Sequence, residues 1–395
     1  MPPIKPAINY KVTFGGWYQR TTLHLTEVYE FLSVANTYLD LDKTKLKALH
    51  EKLNIIEVTR EFDYLEYIKA TTKEGIEIRY YEAGLYILEM SSINIQHAKA
   101  QLENYYHTKL NPALCYIFSL GAPLPKVLAN IQTKHPTVIS FEKEFPEQAA
   151  IDTDVFGKIY TQVIRDGVGV FKTKDYIFIV NKPKSRVPVK ELVEMQIFFR
   201  EFKDQLEKYL NIHRKVWSDI SNIKDRKAIK PKEVPTLRAK LDSYQKTISL
   251  ITNRINQMGS YVRTRKAISQ KAGADQHLND LFQYRFEVLI DTLDYIKEIW
   301  KMTTDYVNSA IAVMNEIQSW ATNKSIQSLT TITSVGVIGG LFLHLSRETF
   351  PRVTRAGIGY LALLLIIATV INIAVRLLQS NVKRKMRFVD REEEI

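Results

Sequence analysis

Residues 286–321, FEVLIDTLDYIKEIWKMTTDYVNSAIAVMNEIQSWA, decide how this chain is read. Apolar or small residues recur three and four apart, at Leu289, Leu293, Ile296, Trp300, Thr303, Val307, Ala310, Met314, Ile317 and Ala321. That alternation is the seam of a long helix packed along its whole length against other helices. No Pro or Gly interrupts it before Ser325, and residues 325–345 carry no formally charged side chain. The helix therefore reads as running straight into an apolar stretch matching the roughly 20 residues that a bilayer core takes.

Two helices of the same kind precede it. One is predicted over Val189–Asn222, with a seam through Met195, Phe199, Phe202, Leu206, Tyr209 and His213. The other is predicted over Thr236–Ser269, through Leu237, Leu241, Tyr244, Ile248, Ile251 and Ile255. Pro231 and Pro235 separate them, because proline cannot continue a helix interior, and Thr236 stands where an N-cap would. The Gly273 turn makes the second break. Short turns predict antiparallel neighbours. His213, on the seam with no second ligand in helical reach, reads as a structural histidine.

The region to Lys184 reads as α/β. Candidate strands are Tyr64–Ala70, Ile76–Tyr81, Leu85–Glu89, Ala113–Leu120, Thr137–Phe141, Tyr160–Arg165, Gly169–Thr173 and Tyr176–Asn181. Candidate helices are Thr26–Leu39, Ile93–Lys109 and Pro123–Thr133. Strand–helix alternation predicts a layered α/β domain.

Beyond the stalk, a loop at 346–355 leads to a second apolar run, 356–376, richer in Leu and Ile than the first. The tail, 377–395, is basic through Lys383, Arg384, Lys385 and Arg387. The positive-inside rule places such a tail in the cytosol, and two spans return the N-terminal domain to the same side. Met1–Tyr10 shows no secretory h-region, and Cys115 is the single cysteine. The expected fold class is α+β/α: a cytosolic α/β domain at 1–184, an antiparallel helix pair at 185–274, a stalk helix at 275–324 and transmembrane helices at 325–345 and 356–376. The expected localisation is a two-pass integral membrane protein with both termini cytosolic.

The net charge is +12, unevenly spread. Arg200 to Gln270 holds most of the excess, whereas Asp275 to Ala321 is acidic. A basic stretch could meet anionic lipid headgroups or, less favourably, nucleic acid. The plainer reading is a solvated face paired with the acidic neighbour helix. No phosphate loop, no G-x-S-x-G elbow and no Cys or His pair at zinc spacing occurs. An enzyme is disfavoured and no cofactor is expected.

At residues 323–332, NKSIQSLTTI, the chain resembles the CorA family of divalent-cation channels, which enter their first span through a similar N-x-x-x-x-x-L-T-x-I segment. The order of parts is also similar. The resemblance implies a homopentamer carrying Mg²⁺ or a related ion as cargo or regulator, with Asn323, Thr330, Ser334, Gly340 and Thr349 along the pore. It implies further that Asp291, Asp294 and Glu298 bind cations between protomers. The family's Gly-Met-Asn signature is absent; its place falls near Arg347 and Glu348 at the outer mouth, where an arginine would repel a divalent cation. Two function classes follow: a divergent cation channel, or a non-conducting, membrane-anchored oligomeric scaffold with a partner-binding domain.

Overall fold

The structure, a computed structural model of the chain, describes residues 8–18, 24–117, 136–149, 151–226, 228–229, 233–345, 355, 358–359, 362–363, 366, 369–370, 373 and 384–385. The chain divides into two compact units, one of residues 1–212 and 250–298, the other of 213–249 and 299–395.

The first unit is built on a nine-stranded mixed sheet. Its strands are β1 (Tyr10–Trp17), β2 (Ile55–Phe62), β3 (Glu66–Thr72), β4 (Glu77–Tyr81), β5 (Leu85–Ser92), β6 (Thr137–Glu142), β7 (Thr161–Arg165), β8 (Val168–Lys172) and β9 (Tyr176–Asn181). They lie in the order β2-β3-β4-β5-β1-β6-β9-β8-β7. Every neighbouring pair is antiparallel except β6–β9. Asp166 and Gly167, at φ 48° and 73°, make the two-residue β7–β8 turn, the left-handed backbone a tight hairpin demands.

One face of the sheet carries Val12, Ile68, Ile78, Tyr86, Ile139 and Phe178 into a core with α1 (Leu25–Val34), α2 (Lys43–Lys52), α3 (Ile95–Tyr105) and α4 (Asn111–Ile117). Asp42 caps α2 by accepting from the Thr44 and Lys45 N–H groups, and Asn94 caps α3 by accepting from His97. A short helix, α5 (Thr153–Phe156), precedes β7. The other face takes α6 (Val189–Lys224), and Gly15 on β1 is what admits it. A Cβ at Gly15 would fall 2.9 Å from Ile87 Cδ1 and 3.2 Å from Ile197 Cδ1 of α6.

Next come α7 (Val234–Lys271), α8 (Asp275–Phe282) and α9 (Phe286–Leu345). Helices α6, α7 and α9 each contribute a segment to both units. Within the first unit Lys266 of α7 pairs with Glu287, and Gly259 faces Leu293, so α7 and α9 run antiparallel. In the second unit Gln245 Nε2 donates to Asn308 Oδ1 at 2.9 Å, Arg238 bonds Asn315, and Tyr244 donates to Asp219 of α6 at 2.7 Å. Trp217 of α6 stacks on Tyr306 of α9 with ring centroids 4.3 Å apart. A two-residue pair joins β10 (Ala228–Ile229) to β11 (Arg384–Lys385). The predicted α9 seam is buried at Leu289, Leu293, Ile296, Trp300, Val307 and Met314, each such side chain contributing roughly 1.5–3 kcal/mol by leaving water.

The membrane part of the expected fold is corrected. No helix among the described residues is long and apolar enough to cross a membrane. Helix α9 does continue through 325–345. Its apolar residues there are diluted by Ser325, Gln327, Ser328, Thr330, Thr331, Thr333, Ser334, Gly336, Gly339, Gly340 and His344. The second run, 356–376, lies largely outside the described residues. The two-pass architecture therefore falls, and with it the membrane localisation, the cytosolic placing of both termini and the ion-transport reading.

Smaller differences are local. Ala113–Leu120, predicted as a strand, begins inside α4; a short apolar run cannot be told from a strand by periodicity alone. Helix α1 stops at Val34 because Ala35 turns left-handed at φ 55°. Helix α7 starts at Val234, so Thr236 lies inside it rather than capping it. β1, β2 and α2 were not predicted, and Pro123–Thr133 lies outside the described residues.

Candidate functional site

The pairing of β1 with β6 ends at Thr13↔Val138, and one side chain of α6 bridges the fork beyond it. Arg200 Nη1 donates to Pro136 O at 2.7 Å and Nη2 to Gly15 O at 3.2 Å. Nη2 also lies 3.3 Å from Oε1 of Glu201. Nη2 carries two N–H groups and so donates to a strand carbonyl and to a carboxylate at once. Both side chains are largely buried, at 11% and 15% exposure.

A cluster of tyrosines borders this pair. Gly16 stands opposite Tyr86 in the β1–β5 ladder, and a Cβ there would overlap the Tyr86 phenol. Glycine alone lets that ring fold across β1. Tyr86 stacks on Tyr106 at 5.1 Å with the rings 7° from parallel. Tyr18, just past β1, reaches Tyr106 Oη at 3.1 Å and donates to Asn111 Oδ1 at 2.8 Å. Cys115 Sγ donates to the same Asn111 oxygen at 3.3 Å.

Tyr106 opens a π-helical turn, Tyr106–Leu110, between α3 and α4. Pro112 accounts for it: proline has no N–H and its ring pushes away the carbonyl four residues back. The turn before it widens, and the Asn111 N–H bonds back to Tyr106 O. Such widened turns are frequent at functional sites.

Burial governs the electrostatics. It pushes the Glu201 carboxyl up to about 7, with Asp204 adding repulsion while Arg200 and Lys208 pull the other way. Burial also raises Asp204, one turn on, and lowers Arg200 despite Glu201 beside it. Tyr86 is raised by burial and then by Tyr106 and Glu201, and Tyr106 is raised by burial. Tyr284, after α8, is raised by burial and lies within the field of Arg200 and Asp204.

A second ionic cluster lies two turns earlier on α6. Tyr81 donates to Glu194 Oε1 at 2.7 Å, and Arg79 Nε stands 3.6 Å from the same oxygen. Arg79 also meets Glu77 at 3.2 Å and Glu89 at 3.3 Å. Arg265 of α7 lies over the Tyr81 ring at 4.7 Å.

The residues assigned by resemblance lie elsewhere. Asp291, Asp294 and Glu298 are exposed on α9, with Asp294 held by Lys297 at 2.7 Å. No group of His, Cys, Asp and Glu that could hold a metal occurs among the described residues. Asn323, Ser334 and Gly340 are exposed on α9, and the Thr330 hydroxyl donates back to Ile326 O at 2.9 Å. Arg347, Glu348 and Thr349 lie outside the described residues. The sequence reading missed Arg200 and Glu201. Their signal was a charged pair inside the apolar run from Ile197 to Phe202. No family model matches the chain, and no curated protein matches it. The order of parts behind the CorA resemblance included two spans, so what remains of it is residues 323–332.

Proposed function

We propose that the protein is a non-catalytic scaffold of the signalling kind, in which protonation at Glu201 sets the grip of α6 on the ends of β1 and β6. The carrying observation is the shared nitrogen: Arg200 Nη2 donates to both Gly15 O and Glu201 Oε1. With the carboxyl neutral, the guanidinium holds the strand carbonyls. With it ionised, the bond to the carboxylate becomes charge-assisted and roughly twice as strong, shifting the guanidinium towards Glu201 and loosening its bond to Gly15 O. The groups facing Glu201 are Arg200, Asp204 and Lys208 on its own helix, Tyr86 on β5 and Tyr106 in the π-turn. A non-catalytic role is supported by the bonding pattern, since Arg200 Nη1 and Nη2 and the Tyr18 hydroxyl donate within the cluster, while Arg200 Nε has no acceptor among the described residues. The cation-channel reading is not carried forward, because it required the spans.

Trp17 provides the test, stacking on Phe202 at 5.6 Å beside Glu201. The tryptophan emission lost in Trp17→Phe should titrate between about pH 5 and about pH 9 with a midpoint near 7. That titration should vanish in Glu201→Gln. A flat profile in the unmodified chain, or the same midpoint in the Gln variant, sinks the reading.

A further inference from the structure

The α9 seam is consumed within the chain: Leu293 and Ile296 are 1% exposed, so they cannot also hold a second protomer. The same helix carries another apolar line on its outer side. Val288, Tyr295 and Met302 stand seven residues apart and are 58%, 61% and 59% exposed. Seven-residue spacing keeps side chains on one stripe of a helix, the pattern of a helix that meets a partner helix. Asp291 and Glu298, also seven apart and both exposed, flank the stripe.

Helix α7 offers the complement. From Ser243 to Ala274 the sequence contains no acidic residue. Arg263 and Lys271 are exposed on it. Beside them the outer face shows Ser260, Thr264 and Ala267, whose small side chains allow close approach by an aromatic ring. An acidic stripe with apolar knobs and a basic stripe of small residues are thus both solvent-exposed on one chain.

We propose that the outer face of α9, centred on Tyr295, docks on the outer face of α7 of a second copy of this chain. Such a contact uses two different surfaces and so builds a ring where the rotation closes, or a filament where it does not. The reading is independent of the proton response at Glu201. Its charges sit on exposed positions, so reversing them leaves the core alone.

The experiment is the mass of the full chain by light scattering, with circular dichroism to confirm the fold. The unmodified chain should give a multiple of its monomer mass, falling as salt rises. The double reversal Asp291→Lys with Glu298→Lys should weaken self-association by on the order of tenfold or more, since like charges then face each other. Adding Arg263→Glu and Lys271→Glu to that variant should restore assembly. Tyr295→Glu should abolish it. A monomeric unmodified chain overturns the proposal; so does assembly indifferent to the reversals, or a loss that the compensating pair does not rescue. Glu201→Gln should leave the mass unchanged, which separates this outcome from the proton response.

Discussion

Glu194 and Glu201 stand two turns apart on α6, both against arginines at the sheet, and they differ in what else surrounds the pair. Glu194 serves Arg79 and the Tyr81 hydroxyl, with Arg265 close by over the Tyr81 ring. Arg265 has no acceptor for its Nε and Nη2 among the described residues, and it is 2% exposed. Glu201 is bonded by Arg200, whose Nη groups also serve Pro136 and Gly15, with Lys208 attracting it and Asp204 repelling it. Glu194 ties Arg79 and Tyr81 of β4 to α6. Glu201, raised by burial and then by Asp204, takes a proton near neutrality. The same residue type on the same helix thus serves as a rivet in one place and a titrating group in the other.

The sharpest way to break the contrast is Glu194→Ala. It strips Arg79 of a partner and leaves Arg265 buried without its nearest counter-charge, and breaking a buried pair from one side costs about 3–5 kcal/mol. Urea unfolding should show that loss, with Glu194→Gln falling between. A cost below about 1 kcal/mol would mean that Glu194 is no rivet.

The second test concerns the sign of the pH dependence. The Glu201 carboxyl is raised from 4.5 to about 7 in the folded chain. The folded state therefore keeps the proton where the unfolded chain has lost it. The stability this contributes is full below about 4.5 and is lost as pH rises through about 7. Measured as the difference in unfolding free energy between the unmodified chain and Glu201→Gln, that loss should be on the order of 3 kcal/mol. A difference that stayed level across this range, or grew with pH, would contradict the assignment.

The smallest effect sharpens the comparison. Asp204 raises Glu201 by repulsion, so Asp204→Asn should lower the Glu201 midpoint by less than about one unit. Carbon-13 NMR of the carboxyl would report it. An upward shift would show that Asp204 acts through something other than its charge.

What sequence could reveal divides along the same line. The α9 seam was legible because Leu293, Ile296 and Trp300 recur at a period that only one structure satisfies. The strands β3 to β9 were legible from branched and aromatic runs broken by turn residues such as Asp166-Gly167. β1 was not, because Gly15 and Gly16 interrupt its alternation, and the reason for them lies in Tyr86 and Ile197, far away in the chain. β2 is an edge strand whose exposed Ile56, Glu57 and Arg60 blur the two-residue period. The Arg200–Glu201 site was hidden for a related cause: its partners come from β1, the start of β6, β5 and the π-turn. Pairwise spacing on one helix carries no trace of them. The membrane expectation failed from the opposite error, where a run without charges was weighted above the hydroxyl, amide and glycine content within it.

The place of β1 at the middle of the nine strands has a consequence for biosynthesis. Of the nine strands it is the first to leave the ribosome, yet its partners are β5, which ends at Ser92, and β6, which ends at Glu142. At roughly 5–20 residues per second, the nascent chain holds β1 unpartnered for seconds while β2 to β4 can already form their meander. The centre of the sheet is therefore completed late, around a segment made early. Until β6 emerges, Lys11 to Thr13 of β1 lie on an open edge.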